Sequence, residues 1–250
     1  MRIVFLLFFF PLFSVPIGNP ASPALLQKGF FISDTSFSNL QLGYTSDCLF
    51  QKRVQPRNSS RLFGLHKAQI EGISQIATIA CNILERVNLQ IELGSGQFDW
   101  YWKQQNNLFV SGQLSQGLIW NGNVKVVFFE VKDTLITADA HVGGWSWMTG
   151  HSFARGIPSS GINQSTMHYW QLGAALVQRI HIFSPYLGIV ANQTELKISD
   201  LDTGTGWLRS RHKMGAFGGC TLSTGSYFFL NLEWRGWFEQ AFSVSGQFRF

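Results

Sequence analysis

The sequence predicts an all-β chain folded as an antiparallel up-and-down transmembrane β-barrel of about ten strands, with twelve as the alternative. Three observations carry that expectation. Residues 241–250 (AFSVSGQFRF) alternate with period two. Phe242, Val244, Phe248 and Phe250 fall on one face, and Ser243, Ser245, Gln247 and Arg249 on the other, with only Gly246 interrupting the apolar side. Second, 23 Phe and 9 Trp sit among only 13% charged residues, about half the usual share, yet mean hydropathy is close to zero. That combination fits alternating apolar and polar positions. Membrane helices would raise the mean far higher, and no internal apolar run approaches the ~18 residues such a helix needs. Third, the loops alternate short and long, the asymmetry of barrels with short periplasmic turns and long outer loops. A soluble β-sandwich would have no use for it.

The elements follow in order. Residues 1–14 (MRIVFLLFFFPLFS) place one Arg before an apolar stretch too short to span, which reads as a secretory signal peptide. No clean A-x-A marks the cleavage, so Ser14 and Gly18 are both candidate last residues. Residues 15–36 read as a periplasmic N-terminal segment and 37–250 as the barrel. Residues 39–51 form the first strand, with Leu40, Leu42, Tyr44, Cys48 and Phe50 on one face. A polar loop covers 55–60, an apolar strand 68–84 and a tight turn Glu85-Arg86. Val87, Leu89, Ile91 and Leu93 then alternate with Asn88, Gln90 and Glu92.

Residues 94–123, with Trp100, Trp102 and Trp120, read as a loop in the ten-strand count. A hairpin at Asn121-Gly122 gives twelve. Residues 123–131 and 134–148 pair around Lys132-Asp133, and 150–164 reads as a loop. Residues 169–182 set Trp170, Leu172, Ala174, Leu176, Ile180 and Ile182 against Tyr169, Gln171, Gly173, Arg179 and His181. A turn at Ser184-Pro185 leads into 186–198, followed by a polar loop over 199–207. A Gly-rich strand spans 213–222. In 227–237, Phe228, Leu230, Leu232 and Trp234 oppose Asn231, Glu233 and Arg235.

The net charge of +5 is scattered, which argues against nucleic acid as a partner. One run, residues 209–213 (RSRHK), is basic and suits a solvated rim beside anionic lipid headgroups or lipopolysaccharide. Cys48, Cys81 and Cys220 contain no CxxC pair, so a structural zinc site is not expected. An odd cysteine count in an exported chain leaves a thiol for an intermolecular disulfide. No GxSxG elbow and no HExxH occur, and residues 144–148 lack the elbow's last Gly. Of the histidines His66, His141, His151, His168, His181 and His212, only His141 shares a face with a nearby acid, Asp139. Such a pair could serve acid–base chemistry, or simply be a polar pair in the lumen. No catalysis, metal or cofactor is expected. Trp145, Trp147, Trp170, Trp207, Trp234 and Trp237 lie near strand ends as girdle residues.

With these segments placed, the chain resembles the chlamydial major outer membrane protein family of porins. The matches are residues 16–21 with Pro23, residues 42–50 with Val54, residues 82–94 (NILERVNLQIELG), residues 182–188 (IFSPYLG) and the terminal QFRF. The chain is shorter than that family's principal porin and poor in cysteine. The resemblance implies an outer-membrane porin for passive diffusion of ions and small hydrophilic solutes, trimer assembly, and cleavage near Ser14-Val15. Phe242, Val244, Phe248 and Phe250 would then address the barrel-assembly machinery.

In a pore the lumen face does the work, because charges on the lipid face cost about 2–4 kcal/mol at mid-bilayer. The alternation points Asn88, Gln90, Glu92, Asp139, His141, Gln171, Arg179, Asn231, Glu233, Arg235 and Arg249 inward. They would set the field that selects solutes. The alternative is a plugged interior: a non-conducting structural or adhesive barrel that presents long surface loops.

Overall fold

The computed structural model describes residues 16–21, 40–56, 65–83, 86–104, 109–154, 157–200, 204–224, 228–237 and 239–249. The predicted signal peptide and Phe250 lie outside these described residues. Among them the strands are β1 (Leu40–Pro56), β2 (Leu65–Ile83), β3 (Val87–Gln104), β4 (Phe109–Val131), β5 (Thr134–Ala154), β6 (Ile157–Gln178), β7 (Phe183–Asp200), β8 (Gly204–Ser210), β9 (Met214–Thr224), β10 (Phe228–Gly236) and β11 (Glu239–Arg249).

Ten of them close a barrel. Neighbours run β11-β10-β9-β7-β6-β5-β4-β3-β2-β1, and β11 returns to β1, all antiparallel. The expected period-two pattern decides which face meets lipid. Leu42, Tyr44, Ile79, Ile91, Leu93, Leu172, Leu187, Ile189 and Phe248 are exposed outside, while Gln41, Asp47, Thr78, Asn88, Gln90, Glu92 and Ser243 are buried inside. Exposed apolar exterior and buried polar interior invert a soluble protein. That arrangement is stable only where lipid surrounds the wall. The chain is a transmembrane β-barrel of the outer-membrane kind.

Four sequence expectations are corrected. Residues 94–104 and 109–123 are strand, not loop. They continue β3 and β4, paired from Val87↔Val126 towards Lys103↔Phe109 apart from one irregularity near Gly96. Asn121-Gly122 sits in mid-strand, opposite Glu92 and Ile91. Residues 150–154 and 157–164 are likewise strand, since β5 reaches Ala154 and β6 begins at Ile157. Residues 199–207 hold the end of β7 and most of β8. In each case polar and small residues were read as loop, yet strands that stand above a bilayer need no apolar face. The expected turn at Ser184-Pro185 shifts to 179–182, where Ile180 and Phe183 bond reciprocally, and His181 takes a positive φ of 53°.

β8 gives the barrel its shape. It pairs with β7 (Glu195↔Arg209) and with β1 (Val54↔Ser210), above the places where β9 and β11 pair with the same two strands. The lower wall therefore has ten strands. Above the level of Lys52↔Glu239, β8 alone replaces β9, β10 and β11, and the wall narrows to eight. A bulge between Leu49 and Gln51 in β1 marks that level. It turns both Leu49 and Lys52 inward.

Candidate functional site: the barrel interior

The structure places ten of the eleven predicted lumen residues inside the barrel: Asn88, Gln90, Glu92, Asp139, His141, Gln171, Asn231, Glu233, Arg235 and Arg249 are all buried. Arg179 is the exception. β6 stops at Gln178, and the Arg179 amide bonds to the Asp133 carbonyl in the short-turn end of the barrel. Its guanidinium pairs with Glu130 and donates to the Lys132 carbonyl at 3.2 Å. The alternation assigned its face correctly, but the strand ends before it.

The interior is layered. At mid-height Arg235 on β10 lies at the centre of an ion cluster. Its Nη2 donates to Asp47 Oδ1 at 2.5 Å and its Nη1 to Glu233 Oε1 at 3.1 Å. Its Nε lies 3.0 Å from Glu239 Oε1, and Glu239 Oε2 is 3.1 Å from Lys52 Nζ. The three carboxylates and the guanidinium have side chains at most 1% exposed. Buried charges persist only when paired, and the guanidinium fork suits several carboxylates at once. A second network joins β3, β4 and β6: Asn121 Nδ2 donates to Glu92 Oε2 at 2.9 Å, and the Tyr169 hydroxyl donates to Asn121 Oδ1. Asn123 Nδ2 donates to Gln90 Oε1 at 3.1 Å.

Below the cluster, towards the short-turn end, residues 16–21 of the N-terminal segment occupy the lumen. Ile17 is fully buried among Val127, Leu135, Val177, Tyr186, Val190 and Phe217. Its amide donates to Glu233 Oε1 at 2.9 Å, Asn19 Nδ2 donates to Thr221 Oγ1 at 2.9 Å, and the Ala21 amide donates back to Asn19 Oδ1. Gly18, at φ 65°, lies so close to the Lys125 ammonium that a Cβ there would meet Nζ at 2.7 Å. Short turns face the periplasm in barrels of this kind, and residues 16–21 lie towards that end.

Above the cluster the inward face becomes apolar. Val54, Ala68, Ile70, Phe98, Trp100, Ile119, Trp145, Met167, Leu196 and Leu208 pack together, and Phe98 stacks on Trp145 at 4.4 Å between centroids. A cavity of about 20 Å³, room for about one water, lies between apolar Phe98, Trp145 and Met167 and polar Lys52, Gln171, Asn192, Thr194 and Glu239. The sequence reading missed this layer and put Trp145 in the outer girdle. Trp145 faces inward because its position keeps the parity of His141. Trp170, Trp207, Trp234 and Trp237 are exposed on the outside as expected, and the Trp147 side chain lies outside the described residues.

Asp139 and His141 are neighbours, with Oδ2 and Nε2 3.3 Å apart and both side chains fully buried. The geometry is a buried polar pair enclosed by wall. Cys48, Cys81 and Cys220 lie on separate strands, and no disulfide joins them. Cys48 keeps the outward register expected of it, though it is covered between Phe242 and Ile73, and Cys220 also faces outward. Of the C-terminal pattern, Phe242, Val244 and Phe248 are exposed on the outer face, and Phe248 packs against Phe228 at 4.8 Å.

No family model and no curated protein matches the chain. Among solved structures it is similar to the β domain of the Bordetella autotransporter Brka, at TM-score 0.48 and 14% identity over 84% of this chain and 99% of that one. It is also similar to the translocator domain of the autotransporter NalP from Neisseria meningitidis (TM-score 0.44, 12% identity, 87% and 90% covered). A third is an outer membrane channel from Pseudomonas putida F1 (TM-score 0.43, 8% identity, 88% and 100% covered). These values say nothing about what this chain does.

Proposed function

We propose that this chain is a closed outer-membrane barrel, a structural or adhesive scaffold, rather than an open channel for passive diffusion. The observation that carries this reading is the filling of the lumen in three successive layers: the Ile17 segment, the Arg235 cluster and the Phe98–Trp145 layer. A diffusion pore needs a continuous polar path that water can fill. Here the mid-height charges satisfy one another, and the approach from above is apolar. Strands β2 to β7 run 18–23 residues where a tilted span needs about 9–11. Much of their length stands clear of the bilayer, which suits a surface that others touch. Catalysis is not part of this reading, since Asp139 and His141 are walled in.

Kinship with the chlamydial porin family remains part of the proposal. Its best-matched stretches fall on β7 (residues 183–188) and β11 (residues 247–249), which are wall and not lumen filling. A specific observation favours a second reading, a pore stoppered by its own N-terminus: residues 16–21 belong to no wall strand.

Single-channel conductance in a planar bilayer tests both readings. The refolded protein from Val15 onward and a version starting at Ser22 are compared. Neither shows discrete steps under the closed reading. Steps in the shorter protein alone would establish the stoppered pore, and steps in both would overturn the closed barrel.

A further inference from the structure

Where the wall narrows from ten strands to eight, its outer surface carries a cluster of cations that the lumen does not use. Arg53 on β1 and Arg211 just after β8 are both exposed, and the Arg211 amide donates to the Arg53 carbonyl at 3.0 Å. His212 and Lys213 follow, exposed, in the link that carries the chain from β8 to β9. Arg209 faces outward two residues earlier, beside Glu195 on β7, and Lys197 lies 5.7 Å over the Trp207 ring. Two outward carboxylates adjoin these six basic residues: Glu195, in register with Arg209 and accepting also from Gln193 Nε2, and Glu71, two residues along β2 from Gln69, the partner of Arg53.

The wall directly beneath is apolar and shaped. Met214 is exposed next to Lys213, Trp237 is 80% exposed at the β10–β11 tip, and Phe50 is exposed below Lys52. The outward positions of β9 are small (Ala216, Gly218 and Cys220), and they pair with Leu187 and Ile189 on one side and with Leu232 and Trp234 on the other. Trp234 leans up towards the rim, its ring tip 2.3 Å from where a Gly236 Cβ would stand. A groove between exposed Leu, Ile and Trp thus runs down from a basic rim.

We propose that this step binds a phosphorylated glycolipid of the outer leaflet, with its phosphates on Arg53, Arg211, His212 and Lys213 and an acyl chain in the Ala216–Cys220 groove. Charge complementarity selects the occupant. Clustered cations at the boundary of an apolar belt match an amphiphile with phosphate above and hydrocarbon below, and each cation near such a surface adds appreciable attraction. A soluble anion would gain the rim but leave the groove unused. A protein partner would not be expected to meet Met214 and Trp237 at bilayer depth. The inference rests on the transmembrane barrel and is independent of whether the lumen conducts.

The test is native mass spectrometry of the detergent-solubilised full chain with added diphosphoryl lipid A. Lipid A stripped of its phosphates and inorganic pyrophosphate are the comparators. Heat-modifiable migration on gels confirms the fold of every sample, so that a failed barrel is not read as a failed site. The wild type is expected to bind the diphosphoryl lipid at least about tenfold more tightly than the stripped lipid, with pyrophosphate competing only weakly. The triple variant Arg53→Ala, Arg211→Ala, Lys213→Ala is expected to lose that preference. A control pair at the other end of the barrel, Arg86→Ala and Lys132→Ala, is expected to keep it. Equal binding of both lipids by the wild type, an unchanged triple variant, or full displacement by pyrophosphate would each overturn the proposal. The first comparison needs no variant at all.

Discussion

Arg235 and Asp47 face each other across β11, guanidinium Nη2 to carboxylate Oδ1 at 2.5 Å, and so tie β10 to β1 beside the seam that closes the barrel. With Glu233 and Glu239 on the same guanidinium, one side chain contacts three carboxylates, and Lys52 shares Glu239. Arg235→Met would leave Asp47 and Glu233 without their cation at the centre of the wall. A loss of about 3–5 kcal/mol is expected, read from urea unfolding of the refolded barrel in micelles. Arg235→Lys keeps the charge but not the fork, so it should fall between the two. A variant as stable as wild type would remove the cluster from the forces holding the seam.

Ile17 anchors the N-terminal segment by burial and by its amide bond to Glu233. Ile17→Asp would put a carboxylate against Glu233 and among apolar side chains, and the segment should leave the lumen. Hydrogen exchange followed by mass spectrometry on the peptide covering residues 16–21 reads this directly. Slow exchange is expected in the wild type and fast exchange in the variant, with the strand peptides unchanged. Equal, fast exchange in both would show that the segment does not occupy the lumen.

Trp145 and Trp170 lie on adjacent strands but on opposite faces of the wall. Trp145 is 2% exposed and stacked on Phe98, while Trp170 is 42% exposed towards lipid. Trp145→Ala is expected to cost about 3–5 kcal/mol, the usual range for emptying a packed aromatic site. Trp170→Ala should cost distinctly less, because lipid fills the space. The same unfolding assay ranks them, and a reversed order would contradict the apolar inner layer.

The lipid face makes its own prediction. Ile91, 65% exposed on β3, lies between inward Gln90 and Glu92. Ile91→Arg should lose about 2–4 kcal/mol if that position is near mid-bilayer. Arg53→Ala, at the rim, should be close to neutral for stability. Equal effects would mean that the belt boundary does not run below Arg53.

Much of this was legible in the sequence. Alternation in residues 87–93, 169–177, 228–235 and 241–249 gave each side chain its face, since a pleated strand leaves no choice once one residue is placed. Eight of the eleven inward assignments lie in those stretches, and Asp139 and His141, which share a face of β5, make ten. The exception, Arg179, failed on where the strand stops, which depends on a turn the neighbouring strand helps to close. The strands within 94–123 and 150–164 were hidden for another reason: above the bilayer the outward face is polar, so the lipid-facing signal vanishes. The apolar inner layer left one trace, aromatics at both parities in FDWYW (98–102), and apolar side chains at both parities in GGWSWM (143–148), Trp145 and Trp147 against Met148. Such stretches read as confused strand until the other walls are seen.

By itself, then, the sequence determined that the chain is a barrel wall with lipid outside and polar groups inside, because period two is a local property of the extended backbone. Whether that inside is open was not a local property. It depends on Ile17 meeting Glu233 at a separation of 216 residues and on Arg235 reaching Asp47 across 188. It also depends on β8 replacing three strands at the rim. Those contacts join residues far apart in the chain, and only the closed barrel brings them together.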